Sequence, residues 1–318
     1  RSRFPLEIVK AVRRELGDDY PITCRICGDE FLKEGFDLSQ SIRLAKMLEA
    51  NGVNAIEVSA GAHETGQFIT APPYYPMGFL APLSEAIRKE VKIPIGAVGR
   101  IHTPDLAEDL LRQGKADLIA VGRGLIADPE WAKKAQEGRP ETIRPCISCN
   151  QGCSDRMYFQ QDISCTVNPA VGREGTFPVE PARKRKKVLI LGGGPAGLEA
   201  ALIAAKRGHA VQLYEKEKEL GGQLNIASVP PAKEKIREFK EYLIREVKEL
   251  PIKVVHGKLD AKTLKKISPD WVVVAVGGKP KGMEGPGFDD RKVISAWDVL
   301  SGEKRVGRRV LIIGGGQV

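Results

Sequence analysis

Four cysteines lie close together near the middle of the chain, and their spacing points to metal chemistry. Two residues separate Cys146 from Cys149, three separate Cys149 from Cys153, and eleven separate Cys153 from Cys165. Three thiolates in a tight loop and one returning thiolate can hold the corners of an iron–sulfur cluster. Four cysteines can also bind zinc, but structural zinc sites usually pair two Cys-x-x-Cys knuckles. The spacing therefore favours a cluster and leaves zinc as the alternative.

A second Cys-x-x-Cys pair, Cys24 and Cys27, has a different interpretation. These cysteines fall in a predicted strand, 21–27, in which residues three apart point to opposite faces. We expect them to be core thiols rather than ligands. The composition of the chain is typical of an intracellular protein, which favours free thiols over disulfides and a cytoplasmic location.

A glycine-rich turn in the second half of the chain predicts a dinucleotide site. A buried strand, 188–191, precedes the turn and a helix, 198–207, follows it; the spaced glycines are Gly192, Gly194 and Gly197. This arrangement lets a pyrophosphate meet the N-terminus of the helix. The next predicted strand, 210–214, is followed by Glu215, whose acidic side chain suits a pair of ribose hydroxyls.

A similar glycine run lies near the last residue of the sequence. Residues 310–316 form an apolar segment followed by three glycines. Between the two runs, residues 271–276 are predicted to be another buried strand, which ends at Gly277 and Gly278. Two fingerprints suggest an FAD domain that carries an inserted nicotinamide domain. We expect both ends of the sequence to cut through domains.

The first segment, residues 1–138, alternates short apolar strands with amphipathic helices. The predicted strands are 21–27, 55–59, 93–98 and 117–121. The predicted helices include 38–50, 83–90 and 104–113, the last with Thr103 as its cap and Pro104 in its first turn. Repeated βα units imply parallel strands, and four units make half of an eight-stranded barrel. We therefore expect an α/β fold that contains the C-terminal half of a TIM barrel.

Functional residues in such a barrel gather where the strands end. Candidates at these positions are Arg25, His63, the pair Gly99-Arg100 and the pair Gly122-Arg123. A glycine followed by an arginine fits phosphate binding, because backbone N–H groups approach closely and the guanidinium binds two oxygens. Since both pairs follow the last two predicted strands, they favour a phosphate site there.

Composition and charge exclude some classes of partner. The 318 residues carry a net charge of +9, with a basic run at 183–187. No aromatic residues accompany that run, so a solvated linker is favoured over a nucleic-acid site. No apolar run approaches the roughly 20 residues that span a bilayer, so no membrane partner is expected. The basic charge favours anionic cofactors and substrates.

The order of these segments resembles a known family, the iron–sulfur flavoenzymes related to old yellow enzyme. The resemblance covers essentially the whole chain, and bacterial 2,4-dienoyl-CoA reductases are its most similar branch. The most specific stretches are 146–153, 165–169, 192–197 and 221–223. Trimethylamine dehydrogenase shares the architecture, but its cysteine spacing is two, two and twelve, so the resemblance favours alkene reduction.

The resemblance implies three resident cofactors: FMN in the barrel, a 4Fe-4S cluster on the four cysteines, and FAD in the second domain. Arg25 would contact the N1/C2 edge of the FMN ring, where a cation also stabilises the anionic reduced flavin. Arg100, Gly122 and Arg123 would hold the FMN phosphate, and His63 would help to protonate the substrate. The FAD positions are Ala196, Glu215, Gln223 and Lys233.

The implied domains are a partial barrel for FMN and substrate (1–138), a cluster segment with linker (139–180), an FAD domain (181–305) and the start of an NAD(P) domain (306–318). Electrons would pass from NAD(P)H through FAD and the cluster to FMN, and then to an unsaturated carbonyl compound such as an acyl-CoA. The alternatives are amine oxidation of the trimethylamine dehydrogenase type and an electron-transfer module without alkene reductase activity. We expect the 318 residues alone to be inactive.

Overall fold

The computed structural model describes residues 2–282 and 284–315. The chain divides into two compact units, Arg1–Phe177 and Pro178–Val318. Each unit contains a parallel sheet of four strands. No helix in the described ranges is both long enough and apolar enough to cross a membrane.

The sheet of the first unit follows the order of the chain. Its strands are β1 (Thr23–Cys27), β2 (Ala55–Ser59), β3 (Ile95–Ala97) and β4 (Leu118–Ile119), and each pairs in parallel with the next. The helices are α1 (Arg3–Leu16), α2 (Leu38–Ala50), α3 (Gly66–Ile69), α4 (Ala81–Arg88), α5 (Pro104–Arg112), α6 (Arg123–Ala127), α7 (Trp131–Gln136) and α8 (Ser154–Tyr158). This order of βα units agrees with the predicted α/β fold.

Local sequence explains where these elements begin. The Asp37 carboxylate accepts a hydrogen bond from the Gln40 N–H and caps α2, and Thr103 caps α5 in the same way through the Leu106 N–H. Both β2 and α2 have the predicted bounds. The other three strands of the first unit are shorter than predicted, and α4 begins and ends two residues earlier than predicted. Helix and strand ends depend on packing more than on local pattern.

Alternation along the strands separates two faces of the first sheet. Ile26, Ile56 and Val58 are buried in a core that also includes residues of α2 and α4. The intervening residues Arg25 and Glu57 lie on the opposite face, because successive side chains of a strand point to opposite sides. The first unit therefore has one face for packing and one face for charged side chains.

The second unit has the strand order β7-β6-β5-β8. The strands are β5 (Lys187–Leu191), β6 (Ala210–Glu215), β7 (Ile252–His256) and β8 (Trp271–Val274), all parallel. The helices are α9 (Pro195–Lys206), α10 (Leu224–Ala227), α11 (Glu234–Glu249), α12 (Ala261–Ile267) and α13 (Ala296–Leu300). Helix α9 begins at Pro195 rather than at the predicted Leu198, because proline is favoured in a first turn.

Two predictions about burial are wrong. The predicted buried strand 271–276 ends at Val274, and all four residues of β8 are exposed, with Trp271 at 64%. Strand β8 is an edge strand bonded to β5 alone, so an apolar run did not guarantee burial there. Cys24 and Cys27 are both half-buried: Cys24 packs against the core as expected, whereas Cys27 lies on the face of Arg25 and is not a core residue.

The second glycine run has no strand in its described part. Residues 310–315 are irregular, and Leu311 and Ile312 are 86% and 80% exposed. Gly316, the third glycine of that run, lies outside the described residues.

Candidate functional site

Arg25 lies in β1 directly opposite Glu57 in β2, and the two side chains form an ion pair. Both side chains are partly exposed, so solvent screens the pair. The sequence motifs indicate Arg25 but not Glu57. The alternation of β2 could have identified it, because Glu57 is the charged residue between two buried ones, Ile56 and Val58.

The loops that follow β1 and β2 are bonded to each other. The Gly61 N–H donates to the Asp29 carbonyl at 2.8 Å, and the Thr65 hydroxyl donates to the Glu30 carbonyl at 2.7 Å. Thr65 is buried and closes the 3-10 turn His63–Thr65, at whose start the His63 side chain is exposed. An exposed histidine on an anchored turn can exchange protons with solvent or with a bound molecule.

An aromatic cluster also occupies these two loops. The ring centroids of Phe31 and Phe68 are 4.2 Å apart, and Phe68 and Phe79 each contact Tyr75 at 5.5 and 5.3 Å. Phe31 has a positive φ of 54°, an uncommon conformation for a bulky residue. The cluster gives the strand-end loops an apolar surface that the sequence motifs did not indicate.

The first predicted phosphate pair, Gly99-Arg100, follows β3. Gly99 has a φ of 117°, a backbone conformation that residues with a side chain rarely adopt. Arg100 is only 5% exposed, and its Nε donates to the Ser148 hydroxyl at 3.2 Å while its Nη1 donates to the Pro73 carbonyl at 3.0 Å. The guanidinium is therefore held in one orientation by two separate segments.

The second predicted pair, Gly122-Arg123, lies at the start of α6. The Arg123 Nη1 donates to the Ala71 carbonyl at 2.9 Å and to the Asn150 Oδ1 at 2.6 Å. Asn150 and Ser148 flank Cys149 in the sequence. The structure thus joins both arginines to the segment 146–153, which we call the cysteine loop.

The fourth cysteine reaches the cysteine loop through a short return segment, 164–168. The Ser164 N–H donates to the Gly152 carbonyl at 2.7 Å. A Cβ on Gly152 would lie 2.6 Å from the Ser164 carbonyl oxygen and 3.0 Å from the Cys165 Cα. Glycine is therefore required for this close approach. The return segment is also held by the Asn168 side chain, which donates to the Ile126 carbonyl at 3.0 Å.

The four thiols form one electrostatically connected group. Burial raises the pKa of Cys146 to about 11, partly offset by the Ser148 N–H and the Arg123 guanidinium, while Cys165 and Cys149 raise it further. Burial also raises the pKa of Cys165, and Cys149 and Cys153 act in the same direction. Ligation by a metal centre requires thiolates, so binding would release protons from these groups.

The donor set fits an iron–sulfur centre in its chemistry, since it consists of four thiols. In a zinc site, tetrahedral bonds of about 2.3 Å to a single ion would hold the sulfurs about 3.8 Å apart. Across residues 2–282 and 284–315, no three His, Cys, Asp or Glu side chains are arranged to hold one metal ion.

The glycine turn of the second unit joins β5 to α9. A Cβ on Gly197 would lie 1.9 Å from the Gly192 carbonyl oxygen, and one on Gly192 would lie 2.3 Å from the Ala275 carbonyl oxygen. Both positions therefore require glycine. Gly194 caps α9, and Ala196 is exposed in the first turn of that helix. The turn fits a pyrophosphate, which needs close backbone approach at a helix N-terminus.

Glu215 and Gln223 lie beside this turn. The Glu215 carboxylate is buried and accepts hydrogen bonds from the Gly193 N–H at 2.6 Å and the Glu217 N–H at 2.9 Å. The Gly221 N–H donates to the Gly193 carbonyl at 2.8 Å, and the Gln223 side chain donates to the Gly278 carbonyl at 3.1 Å. The structure therefore brings these predicted residues together.

Lys233 is also a predicted FAD residue, but its side chain does not contact the glycine turn. It precedes α11, and its side chain is half-buried. Within the described part of the chain, no hydrogen bond or ion pair joins its ammonium group to the glycine turn.

Sequence comparison identifies two families along the chain. Residues 1–142 match the NADH:flavin oxidoreductase / NADH oxidase family, and residues 186–318 match the pyridine nucleotide-disulphide oxidoreductase family. The chain is 46% identical to the NADH oxidase of Thermoanaerobacter brockii and 37% identical to the cinnamate reductase of Clostridium sporogenes. Each alignment covers 100% of the chain and 50% of the relative, so the chain spans about half the length of these proteins.

A solved structure has the same fold over nearly the whole chain. The 2-naphthoyl-CoA reductase in complex with 2-naphthoyl-CoA superposes with a TM-score of 0.91 at 35% sequence identity. The superposition covers 96% of this chain and 47% of that protein.

Proposed function

The chain belongs to the NADH:flavin oxidoreductase family, and we propose that the protein reduces carbon–carbon double bonds conjugated to a carbonyl group with electrons from NAD(P)H. The observation that carries this proposal is the joining of both strand-end arginines to the cysteine loop, through Ser148 and Asn150. A flavin phosphate site and a cluster site would then adjoin within one unit.

Three resident cofactors are proposed. When bound, the flavins supply hydride chemistry and a 4Fe-4S cluster supplies single-electron transfer, which together connect a nicotinamide with the substrate. The cluster would be held by Cys146, Cys149, Cys153 and Cys165. The spacing of the four cysteines supports the cluster over zinc, because structural zinc sites usually pair two Cys-x-x-Cys knuckles.

In the first unit, the residues expected to hold FMN are Arg25, Gly99, Arg100, Gly122 and Arg123. The Arg25 guanidinium would place a positive charge beside the anionic ring of the reduced flavin, and Glu57 would orient that guanidinium. Arg100 and Arg123 would donate to the phosphate from side chains already held by backbone carbonyls.

In the second unit, the glycine turn would hold the FAD pyrophosphate, with Ala196 in the first turn of α9. Glu215 would accept hydrogen bonds from the ribose, although its two oxygens already accept from the backbone. Gln223 and Lys233 would complete this site. The family match of residues 186–318 supports a nicotinamide partner for the same protein.

For the substrate, a small conjugated carbonyl compound such as an acyl-CoA is proposed. His63 would donate or hold a proton at the double bond, because it is exposed on a turn anchored by Thr65. The aromatic cluster around Phe68 and Tyr75 supports an apolar substrate chain or ring.

The test is anaerobic turnover by the holoprotein. NAD(P)H oxidation should depend on an enone or dienoyl-CoA, and the product should be the compound saturated at the former double bond. His63→Phe should slow this reaction and leave nicotinamide-dependent FAD reduction unchanged. Amine-dependent flavin reduction without any reduction of enones would instead support the amine dehydrogenase alternative. If NAD(P)H reduces the flavin but the protein neither reduces enones nor oxidises amines, the result would support the electron-transfer module.

A further inference from the structure

The residues on either side of Cys149 have an unusual backbone. Ser148 and Asn150 have positive φ values of 55° and 63°. Asparagine adopts positive φ more readily than most residues, but serine seldom does, and such conformations persist where surrounding contacts maintain them. Each of the two side chains leaves the cysteine loop and contacts an arginine that follows a strand.

Ser148 is completely buried between two residues that follow β3. Its hydroxyl accepts from the Arg100 Nε at 3.2 Å and lies 3.1 Å from the His102 Nε2. A hydroxyl has one proton and two lone pairs, so it can accept from the arginine and still donate to an imidazole nitrogen. The backbone of His102 is held in turn by Trp131, whose indole N–H donates to the His102 carbonyl at 2.8 Å.

Asn150 connects Arg123 to the loop that follows β2. Its Oδ1 accepts from the Arg123 Nη1 at 2.6 Å, and its Nδ2 donates to the Thr70 carbonyl at 2.6 Å. The same Arg123 nitrogen donates to the Ala71 carbonyl at 2.9 Å. The Asn150 amide thus binds Arg123 through its oxygen and is itself fixed to the Thr70 carbonyl through its nitrogen.

We infer that Ser148 and Asn150 are positioning residues that hold Arg100 and Arg123 for the flavin phosphate, so that the cysteine loop controls how tightly FMN is retained. The inference rests on the proposed function, which places FMN at these arginines. A long arginine side chain loses rotamer freedom when it binds a ligand. Contacts that order it beforehand remove that cost from binding and so raise affinity.

The experiment measures FMN affinity and cluster content in the anaerobically purified holoprotein. Asn150→Gly removes the amide but permits the positive φ, and Asn150→Asp keeps an acceptor for Arg123. Gln151→Ala is the matched control, because Gln151 is the next residue in the loop and is exposed. FMN affinity is followed by the fluorescence of released flavin, and the cluster by iron and sulfide content and its visible absorption.

Asn150→Gly should bind FMN about tenfold more weakly, with unchanged iron, because a charge-assisted hydrogen bond is lost. The FMN affinity of Asn150→Asp should stay within about threefold of that of the parent protein. The FMN affinity of Gln151→Ala should equal that of the parent protein. Ser148→Ala should weaken FMN binding without changing FAD content.

Unchanged FMN affinity in Asn150→Gly would overturn the inference. Loss of iron and FMN together, with no recovery of FMN in Asn150→Asp, would also overturn it by showing a structural role for the amide. These results leave the proposed function intact. A parent holoprotein that contains iron but binds no FMN would overturn both.

Discussion

Arg25 and Glu57 form an ion pair on the face of the first sheet opposite its packed core. Such a pair keeps a guanidinium at a defined place in the middle of two neighbouring strands. If FMN binds there, the cation lowers the free energy of the reduced, anionic flavin more than that of the oxidised one. The residue would then act on the potential of the flavin rather than on its retention.

Replacing Arg25 should therefore change the flavin potential. Arg25→Ala is expected to lower the two-electron midpoint potential of bound FMN by about 30 mV or more, which corresponds to about 1.4 kcal/mol. Arg25→Lys should retain most of the parent value because it keeps the charge. Anaerobic dye-coupled titration measures both, and equal potentials in Arg25→Ala and the parent protein would contradict this role.

Single cysteine substitutions can distinguish the proposed cluster ligands from the other cysteines. Cys149→Ser should remove the cluster and stop electron flow to the alkene, while FAD reduction by the nicotinamide continues, because the thiolate ligand is lost in the first unit only. Cys24→Ser is the matched control, since Cys24 is half-buried outside the cysteine loop. Iron and sulfide analysis decides the outcome, and stoichiometric zinc without sulfide in the parent protein would refute the cluster.

Among the elements, the cysteine loop and the return segment depend on one small residue. Gly152 allows the two backbones to approach, and the Ser164 N–H bonds to its carbonyl. The backbone atoms that a Cβ would meet cannot move aside as a flexible side chain can. The position of Cys165 relative to the other three thiols is thus set by packing between segments.

Gly152→Ala should accordingly disturb the metal site without removing a ligand. We expect lower iron content and faster loss of iron to a chelator, because the added methyl displaces Ser164 and Cys165. Gly175→Ala is the control, since a Cβ at Gly175 would meet nothing within 4 Å. Equal iron release from the two variants would show that the return segment tolerates the displacement.

On the scale of the whole molecule, the two units carry separate candidate flavin sites. Residues expected at FMN all lie in Arg1–Phe177, and residues expected at FAD all lie in Pro178–Val318. Each site is built from contacts within its own unit, such as Asn150 with Arg123 and Gly193 with Glu215. Loss of one flavin need not cause loss of the other.

Two variants test this independence. Arg123→Ala should weaken FMN binding by about 1.5–3 kcal/mol, the value of a charge-assisted contact, and leave FAD content unchanged. Gly197→Ala should remove FAD and spare FMN, because its Cβ would collide with the Gly192 carbonyl. Chromatographic flavin analysis distinguishes the two, and Gly307→Ala serves as the control for the second unit. Joint loss of both flavins from a folded variant would contradict the assignment.

Much of this protein follows from local sequence alone. The bounds of β2 and α2, the capping of α5 and the parallel βα order were predicted, because alternation, helical periodicity and capping residues act over a few neighbouring positions. The glycine turn was also recognisable, since backbone approach at Gly192 and Gly197 tolerates no Cβ. The cysteine spacing predicts an iron–sulfur centre, and this assignment stays a prediction.

Only the tertiary structure decided which distant residues meet. Arg100 contacts Ser148 across 48 positions, and Arg25 pairs with Glu57 across 32, so no local pattern contains either contact. Exposure of β8 and the half-burial of Cys27 likewise depend on which elements cover a strand. Hydrophobic character is a property of a segment, but burial and partnership arise when the sheet, its helices and the loops at its strand ends pack together.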